Sequence, residues 1–400
     1  MLKALTAQWA ATFFVGGVSF LVTIFIARNL GPQAFGMYSS SLAAGAMVGI
    51  LLDGGMRNLV LRERTRTSPH LLAIALDLPS YAMGHALYTS GVLIIISLLL
   101  FQDDYLRLAL ATVACFLSLS LNQVTSSFQR GDGALIADFR FQVGARASSA
   151  VLIVLCVALG YKAPWQILTA WAFAGFAYLA LYRSYWQLPR FFGLSKIYCE
   201  ALPYVVLDLA ITVYIRSNLL LLNLYDVSPE LIGQFAASFR IYEAVIMFVS
   251  PLGLLVFRHF RTTNFVMENL RKQLSVQLRV AIPISIVVAV LVWAFSNQII
   301  ELFYGFKYHE SADILKILAL MLVFVLPNTI LSQAAIALDK RLVVMCAAVL
   351  AAIVNLSFNL IMIPAYGIRA AAWASVLAEV LMFALIAGFL FQHGRRNISS

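Results

Sequence analysis

The chain has 400 residues, of which 62% are hydrophobic and only 12% are charged, and its formal net charge at pH 7 is +10. A domain of this size with so few charged side chains cannot stay folded in water. The composition therefore excludes a water-soluble fold. The positive charge does not indicate a nucleic-acid partner, because an uneven distribution of basic residues between membrane loops accounts for it.

Apolar windows recur along the whole chain, each about 20 residues long, which is the length that a helix needs to cross a bilayer core roughly 30 Å thick. The predicted spans are 7–27, 36–56, 80–101, 107–128, 142–161, 164–184, 203–224, 232–256, 280–300, 315–337, 342–363 and 369–391. The connections between them are short. The sequence therefore predicts an all-α polytopic membrane protein of about twelve transmembrane helices, with no separate soluble domain.

The basic residues predict the orientation, because Lys and Arg are retained on the cytoplasmic side of a membrane. With the N-terminus inside, most of them fall in cytoplasmic loops, including the stretch 258–279. We therefore expect both termini in the cytoplasm and contacts between these loops and anionic membrane lipids. The first apolar stretch is too long for a cleaved signal peptide. No disulfide framework is expected from Cys115, Cys156, Cys199 and Cys346, which lie in spans or on the cytoplasmic side.

A short internal repeat suggests two related halves. Pro32 and Gly36 recur as Pro229 and Gly233, 197 residues later, each time in the outer turn after the first span of a half. Ala-Trp-Ala at Trp171 recurs at Trp373 with an offset of 202 residues. The sequence thus predicts two parallel six-helix bundles, residues 1–197 and 198–400, and such halves usually enclose a central site at their interface.

The run from Phe25 to Tyr38, followed by Leu52 to Arg57 and by Arg62-Glu63-Arg64, resembles the N-terminal signature of polysaccharide-exporting flippases. These belong with the multidrug and lipid-oligosaccharide exporters. The segment from Pro364 to Ala371 resembles the C-terminal Pro-x-Tyr-Gly-x-x-Gly-Ala-Ala turn of that family, although Arg369 and Ala370 depart from the usual pattern.

This resemblance implies a MATE-like, V-shaped pair of bundles in the bacterial cytoplasmic (inner) membrane that works by alternating access. It implies a transporter rather than an enzyme, and no cofactor beyond a coupling H+ or Na+. The implied cargo is an undecaprenyl-diphosphate-linked oligosaccharide, such as an O-antigen, capsule or exopolysaccharide repeat unit. Polysaccharide polymerase machinery is a further partner that the resemblance allows.

Ionisable residues at membrane depth are functional candidates, because lipid cannot satisfy them. In the seventh span Asp208, Thr212 and Arg216 follow one another at intervals of one helical turn, and Asn223 lies close to the same line. This polar stripe should face either an interhelical cleft or neighbouring helices. The eighth span carries Arg240, which either pairs with Glu243 one turn away as a packing unit or contacts the cargo.

If the first, second, seventh and eighth helices line the cavity, as in the resembled family, Arg216 and Arg240 lie where a diphosphate must pass. Guanidinium groups suit this role, since they bind phosphate oxygens bidentately. The predicted substrate-binding residues are Arg216, Arg240, Asp208, Thr212 and Asn223, and the candidates for ion coupling are Asp208, Glu243 and Glu379. Asp53, in an Asp-Gly-Gly corner, is expected to be architectural and His85 to be a packed histidine.

Other functions remain open at this point. An ion-coupled multidrug or organic-cation antiporter of the same superfamily would need an unopposed carboxylate in the first or seventh helix, whereas Arg216 shares the face of Asp208. A lipid II flippase would usually have two further helices. A membrane-embedded polymerase or glycosyltransferase would need catalytic groups on the outer face, and the loop 297–313 shows no acid-pair or metal spacing. A structural subunit would not need charges in its core.

Overall fold

The computed structural model describes residues 2–65, 69–191, 194–262, 270–338 and 340–396. Within these ranges the chain is almost entirely helical. The described residues form twelve α-helices and two short 3-10 segments: α1 (Leu2–Asp53), α2 (Met56–Arg64), α3 (Pro69–Leu100), α4 (Asp103–Gly131), α5 (Leu135–Ala158), α6 (Pro164–Ala180), α7 (Leu194–Leu224), α8 (Pro229–Thr262), α9 (Leu270–Ala294), α10 (Ser296–Tyr304), α11 (His309–Ala337) and α12 (Arg341–Arg396), with the 3-10 segments at Arg183–Tyr185 and Phe306–Tyr308.

The first and last helices each contain two predicted spans. α1 has 52 residues and α12 has 56, so each is about twice as long as one bilayer crossing requires. Each is interrupted by one non-helical glycine, Gly31 with φ 79° in α1 and Gly367 with φ 54° in α12. Glycine takes positive φ without steric cost. At each of these places two helices therefore meet at a glycine, where the sequence predicted the connection between two spans.

The lengths of the apolar segments agree with a polytopic membrane protein. Among the described residues, seven helical segments are long and apolar enough to cross a membrane, and Phe13–Asp53 and Arg341–Gln392 are long enough to cross twice. The three other predicted spans lie in α6, α7 and α8. Each predicted span thus falls largely within a helix, which confirms the predicted all-α membrane fold.

One face of α9 illustrates how the bundle meets lipid. Val280, Ile284, Val287 and Leu291 follow the helical repeat and are each at least half exposed. A water-soluble protein would bury such a stripe, whereas a hydrocarbon solvent accepts it. The opposite side of α9 buries Leu274, which packs in an apolar core with residues of α11 and α12.

The chain divides into two compact units, Met1–Leu220 and Leu221–Ser400. In the first, α4 packs against α1, α2, α3, α5 and α6, and in the second α11 packs against α8, α9 and α12. α4 contains the fourth predicted span and α11 the tenth, so the central helix holds the same position in each series of six. The division falls within α7, and the predicted halves 1–197 and 198–400 stay a prediction.

Small and hydroxyl-bearing residues let α4 occupy the centre of the first unit. Its buried residues include Ser118, Ser120, Thr125, Ser126 and Ser127. Short side chains allow helices in a membrane to approach closely, and their hydroxyls bond to the carbonyl groups of the same helix. Thr125 Oγ1, for example, donates to Leu121 O at 2.9 Å. The interior of this unit is therefore close-packed but not uniformly apolar.

The Asp53-Gly54-Gly55 corner joins α1 to α2. Gly54 and Gly55 both have positive φ, 56° and 75°. A Cβ on Gly54 would lie 2.3 Å from His85 Nε2. That imidazole bridges two helices, because Nε2 lies 2.8 Å from Leu51 O and Nδ1 lies 2.8 Å from the Tyr198 hydroxyl. The backbone carbonyl can only accept, so Nε2 donates and Nδ1 accepts, and His85 is a packed histidine as the sequence predicted.

We expect Gly54→Ala to lower the thermal stability of the purified protein, by about 2 kcal/mol or more in the free energy of unfolding. The added methyl group meets His85 and the left-handed backbone disfavours any Cβ. The thermal unfolding midpoint in detergent measures this effect. Gly91→Ala is the matched control, because a Cβ there has no neighbour within 4 Å and alanine favours a helix. Equal midpoints for the two variants would contradict the architectural role of the corner.

Candidate functional site

A cavity of about 170 Å³ lies within the first unit, where α1, α2, α4 and α7 meet. Ile50, Asp53, Arg57, Gln123, Asp208 and Thr212 are among the residues that line it. Asp208 and Thr212 are one turn apart on α7, so this part of the predicted polar stripe faces a cavity rather than lipid. The cavity brings together carboxylate, guanidinium, amide and hydroxyl groups inside an otherwise apolar bundle.

An ion pair between α2 and α7 forms the centre of this site. Arg57 Nη2 lies 2.8 Å from Asp208 Oδ2, and the two side chains are 35% and 15% exposed. Arg57 Nη1 donates to Gln123 Oε1 at 2.9 Å, and Asn58 Nδ2 donates to Asp208 Oδ2 at 3.3 Å. Neighbouring amides therefore hold both members of the pair in place.

Asp53 adds a second carboxylate to the wall of the cavity. It is 5% exposed, and its Oδ1 accepts a hydrogen bond from the Arg57 backbone N–H at 3.3 Å. Its Oδ2 is buried and has no hydrogen-bond partner in the described part of the chain. Two carboxylates and one guanidinium give this cavity a formal excess of negative charge. Such a site suits a proton or a small cation better than a phosphate.

Further polar contacts bind the first half of α7 to the same unit. Arg62 Nη2 on α2 lies 2.7 Å from Glu200 Oε2 on α7. Partial burial lowers the pKa of Arg62, but the hydrogen bonds to Glu200 and Glu63 outweigh it and raise the pKa above the usual arginine value. This guanidinium therefore stays charged at any physiological pH.

The structure separates the remaining predicted residues of α7 from this cavity. Arg216 lies two turns beyond Asp208, is half-buried, and is not among the residues that line the cavity. Asn223 is exposed near the end of α7. Asp208 pairs with Arg57, which the sequence analysis did not connect to it, and the predicted roles of Arg216 and Asn223 stay predictions.

In the second unit the candidates form two separate contacts. Arg240 Nη1 lies 2.6 Å from Glu243 Oε2 within one turn of α8, and both side chains are 28% exposed. On α12, Glu379 Oε2 accepts a hydrogen bond from Asn328 Nδ2 of α11 at 2.7 Å, and Asn328 also donates to Glu379 O at 3.1 Å. No ion pair involves Glu379 in the described ranges. Of the two alternatives for Arg240, the pairing with Glu243 is therefore present, and the contact with a cargo stays a prediction.

Sequence reasoning missed Arg57, Asn58 and Gln123 as parts of the site. Arg57 was assigned to a cytoplasmic basic loop and Asp53 to the architecture of the corner. The Arg57-Asn58 pair and Asp208 lie far apart in the chain, and no periodic pattern connects them. The one available signal was the charge of Asp208 itself, which required a partner that the sequence did not identify.

Two family models match the chain, and together they cover most of it. The sequence matches the family described as "Polysaccharide biosynthesis protein" over residues 2–257 and the family described as "MatE" over residues 266–361. No curated protein sequence matches significantly.

Several solved structures share the fold. An inward closed conformation of the lipid II flippase MurJ has a TM-score of 0.75 at 14% identity, covering 95% of this chain and 86% of that chain. An inward-facing multidrug resistance MATE family transporter of the MOP superfamily has a TM-score of 0.67 at 17% identity, covering 97% and 94%. The MATE multidrug transporter DinF-BH has a TM-score of 0.62 at 17% identity, covering 98% and 95%.

We expect Arg57→Gln and Asp208→Asn each to lower the free energy of unfolding by about 1–3 kcal/mol, since each leaves a partly buried charge without its partner. The double variant should lose less than the sum of the two, because the partners are removed together. Thermal or denaturant unfolding of the four proteins in detergent measures the coupling.

The Asp104–Arg107 pair on α4 is the matched control for this cycle. Its side chains are 74% and 63% exposed, so its coupling should be close to zero. If the effects of Arg57→Gln and Asp208→Asn simply add, their coupling energy is no larger than that of the control pair. That result would contradict the central role of the ion pair.

Proposed function

The chain belongs to the polysaccharide biosynthesis protein family, a family of MOP-superfamily transporters, and from this premise we propose that it flips an undecaprenyl-diphosphate-linked oligosaccharide from the cytoplasmic to the outer leaflet. The cargo would be the repeat unit of an O-antigen, capsule or exopolysaccharide. The observation that carries the proposal is the set of charged residues kept inside the apolar helices α7 and α8, together with a polar cavity. Charges at membrane depth are costly and are retained where a polar solute must pass.

The proposed route assigns the diphosphate to Arg216 and Arg240. A diphosphate concentrates negative charge that hydrocarbon excludes, and a guanidinium can donate two parallel hydrogen bonds to phosphate oxygens. Arg240 already contacts Glu243, so a phosphate would have to compete with that carboxylate. Thr212 and Asn223 would then contact the polar head group. The lipid tail would stay in the bilayer while the sugars cross.

The energy source in this proposal is an ion gradient, with H+ or Na+ as the coupling ion. Asp208, Glu243 and Glu379 are the candidate groups. Asp208 lies beside Asp53 in a cavity of negative formal charge. Glu379 is held by an asparagine rather than by a cation in the described ranges. A carboxylate without a permanent counter-charge is the type of group that binds a proton or sodium ion during transport. Glu379 fits this description best of the three, because Asp208 is paired with Arg57 and Glu243 with Arg240.

Location and partners follow from the same proposal. The protein would lie in the bacterial cytoplasmic membrane with both termini in the cytoplasm, where its basic loops contact anionic lipids. It would deliver its cargo to polysaccharide polymerase machinery on the outer face and would carry out no covalent chemistry itself.

A second candidate function is an ion-coupled organic-cation antiporter. The formal excess of negative charge around Asp53 and Asp208 favours it, because a cationic solute would be attracted to that cavity. The ion pair between Arg57 and Asp208 argues against an antiporter, because the charge of one of the two carboxylates is already matched.

We expect Arg216→Ala to abolish translocation of a fluorescent undecaprenyl-diphosphate oligosaccharide in proteoliposomes, whereas Arg216→Lys should retain part of it. Lysine keeps the positive charge but not the bidentate donors. Uptake of a cationic dye into the same vesicles separates the two candidate functions. Full translocation in Arg216→Ala would refute the diphosphate contact, and Asp208-dependent dye uptake without sugar-lipid movement would favour the antiporter.

We expect Glu379→Gln to remove the dependence of translocation on a proton or sodium gradient, because the amide is similar in shape but cannot bind a cation by charge. Translocation rates with and without an imposed gradient test this. Asn328→Ala is the companion variant, since it removes the hydrogen bond to Glu379 and leaves the carboxylate. Unchanged ion dependence in Glu379→Gln would return this residue to a packing role.

A further inference from the structure

The chain that follows α6, residues 181–191, forms an irregular segment on the surface of the first unit. Apart from the 3-10 turn Arg183–Tyr185, it contains neither helix nor strand. Such a backbone cannot lie against hydrocarbon, because its N–H and C=O groups need water or lipid head groups as partners. Three of its apolar side chains are nevertheless at least half exposed: Leu181, Leu188 and Phe191. This combination indicates a position at the interface between lipid and water.

Contacts with α3 hold this segment in place. Ser80 Oγ donates to Gln187 Oε1 at 2.9 Å, and Arg190 N donates to Ser80 O at 3.0 Å. Arg190 Nη1 also lies 2.6 Å from Asp77 Oδ2. A Cβ on Gly84 would lie 2.1 Å from Arg190 O, so a glycine is needed for this close approach. The segment is therefore a fixed part of the first unit, and Arg190 has a counter-charge.

An aromatic cluster joins the start of the segment to α5. The centre of the Phe141 ring lies 5.6 Å from that of Tyr178 and 4.7 Å from that of Tyr182. The Tyr178 hydroxyl lies 3.5 Å from Arg140 O. Tyrosine is enriched at membrane interfaces because its ring is apolar and its hydroxyl is polar. The first turns of α5 and the end of α6 thus meet at the level of the lipid head groups.

One exposed arginine lies on each side of this cluster. Arg140 precedes Phe141 in the chain, and Arg183 follows Tyr182. Ile136, one turn before Arg140 on the same face of α5, is 55% exposed. The face that carries Arg140 is therefore turned towards lipid. A long side chain at this place can keep its charge among the head groups while its stem covers apolar surface.

The surface around these two arginines carries a net positive charge. Neither Arg140 nor Arg183 makes an ion pair with another residue in the part of the chain that the structure describes. Asp138 also lies in the first turns of α5, but it is 1% exposed and its Oδ2 lies 2.9 Å from Arg130 Nε. No acidic residue occurs between positions 181 and 191. Two guanidinium groups are thus available to an anion at this interface.

We propose that Arg140 and Arg183 bind the phosphate of an anionic phospholipid, whose acyl chains lie against Ile136 and Leu181. Guanidinium groups donate parallel hydrogen bonds to phosphate oxygens. A zwitterionic lipid also has a phosphate, but its ammonium group would be repelled by the two cations. The exposed apolar side chains favour a lipid over a soluble anion. The site does not depend on the proposed cargo, because its ligand is a component of the membrane.

Native mass spectrometry of the full-length protein tests this site with phosphatidylglycerol and phosphatidylethanolamine of identical acyl chains. We expect a preference of about 25-fold for phosphatidylglycerol, roughly fivefold for each arginine near the membrane surface. Glycerol phosphate has the same charged group but no acyl chains, so it should compete poorly. Equal affinities for the two lipids would overturn the proposal. So would equal affinities for glycerol phosphate and phosphatidylglycerol, which would indicate a site for soluble anions.

Variants connect the preference to the two arginines. Arg140→Gln and Arg183→Gln should each reduce it about fivefold, and the double variant should bring it close to one. Lysine at either position should keep most of it, which also serves if a glutamine variant does not fold. Arg107→Gln is the matched control, because Arg107 is exposed and lies 5.7 Å from the Trp165 ring centre but pairs with Asp104. A preference that persists in the double variant, or that falls equally in Arg107→Gln, would contradict the assignment.

Discussion

The ion pair between Arg57 and Asp208 fixes α7 against the corner between α1 and α2. A charge within an apolar bundle costs several kcal/mol unless another charge and hydrogen bonds compensate it. Asn58 and Gln123 complete this compensation, and both residues lie on helices that meet at the cavity. The pair lines the cavity, and together with the Arg62–Glu200 and His85–Tyr198 contacts it holds α7 to the first unit.

Other charged side chains within the helices are also compensated by neighbouring groups, but in different ways. Arg240 and Glu243 are matched within one turn of a single helix, so their contact survives any rigid movement of α8. Arg57 and Asp208, by contrast, belong to different helices, as do Asn328 and Glu379. Contacts between helices must break or lengthen when helices move. They are therefore the contacts through which binding of an ion or a cargo can change the conformation of a transporter.

Much of the architecture could be predicted from the sequence because lipid imposes simple rules on composition. Long apolar windows predicted the spans, and each predicted span falls largely within a helix. The connections predicted around Gly31 and Gly367 coincide with the non-helical glycines at which the helices meet, but the sequence did not show that a single residue makes each break. His85 was correctly predicted to be packed, yet its bridge from Leu51 to Tyr198 could not be foreseen.

The sequence by itself determined that this is a helical membrane protein, where its long apolar segments lie and which charged residues interrupt them. Those properties follow from hydropathy and spacing along the chain, which are local. Only the tertiary structure decided which charges meet. Asp208 was placed on a polar face of α7 without a partner, and Arg57 on another helix is the residue that pairs with it. Pairing depends on how helices distant in sequence pack, and a span prediction does not contain that information.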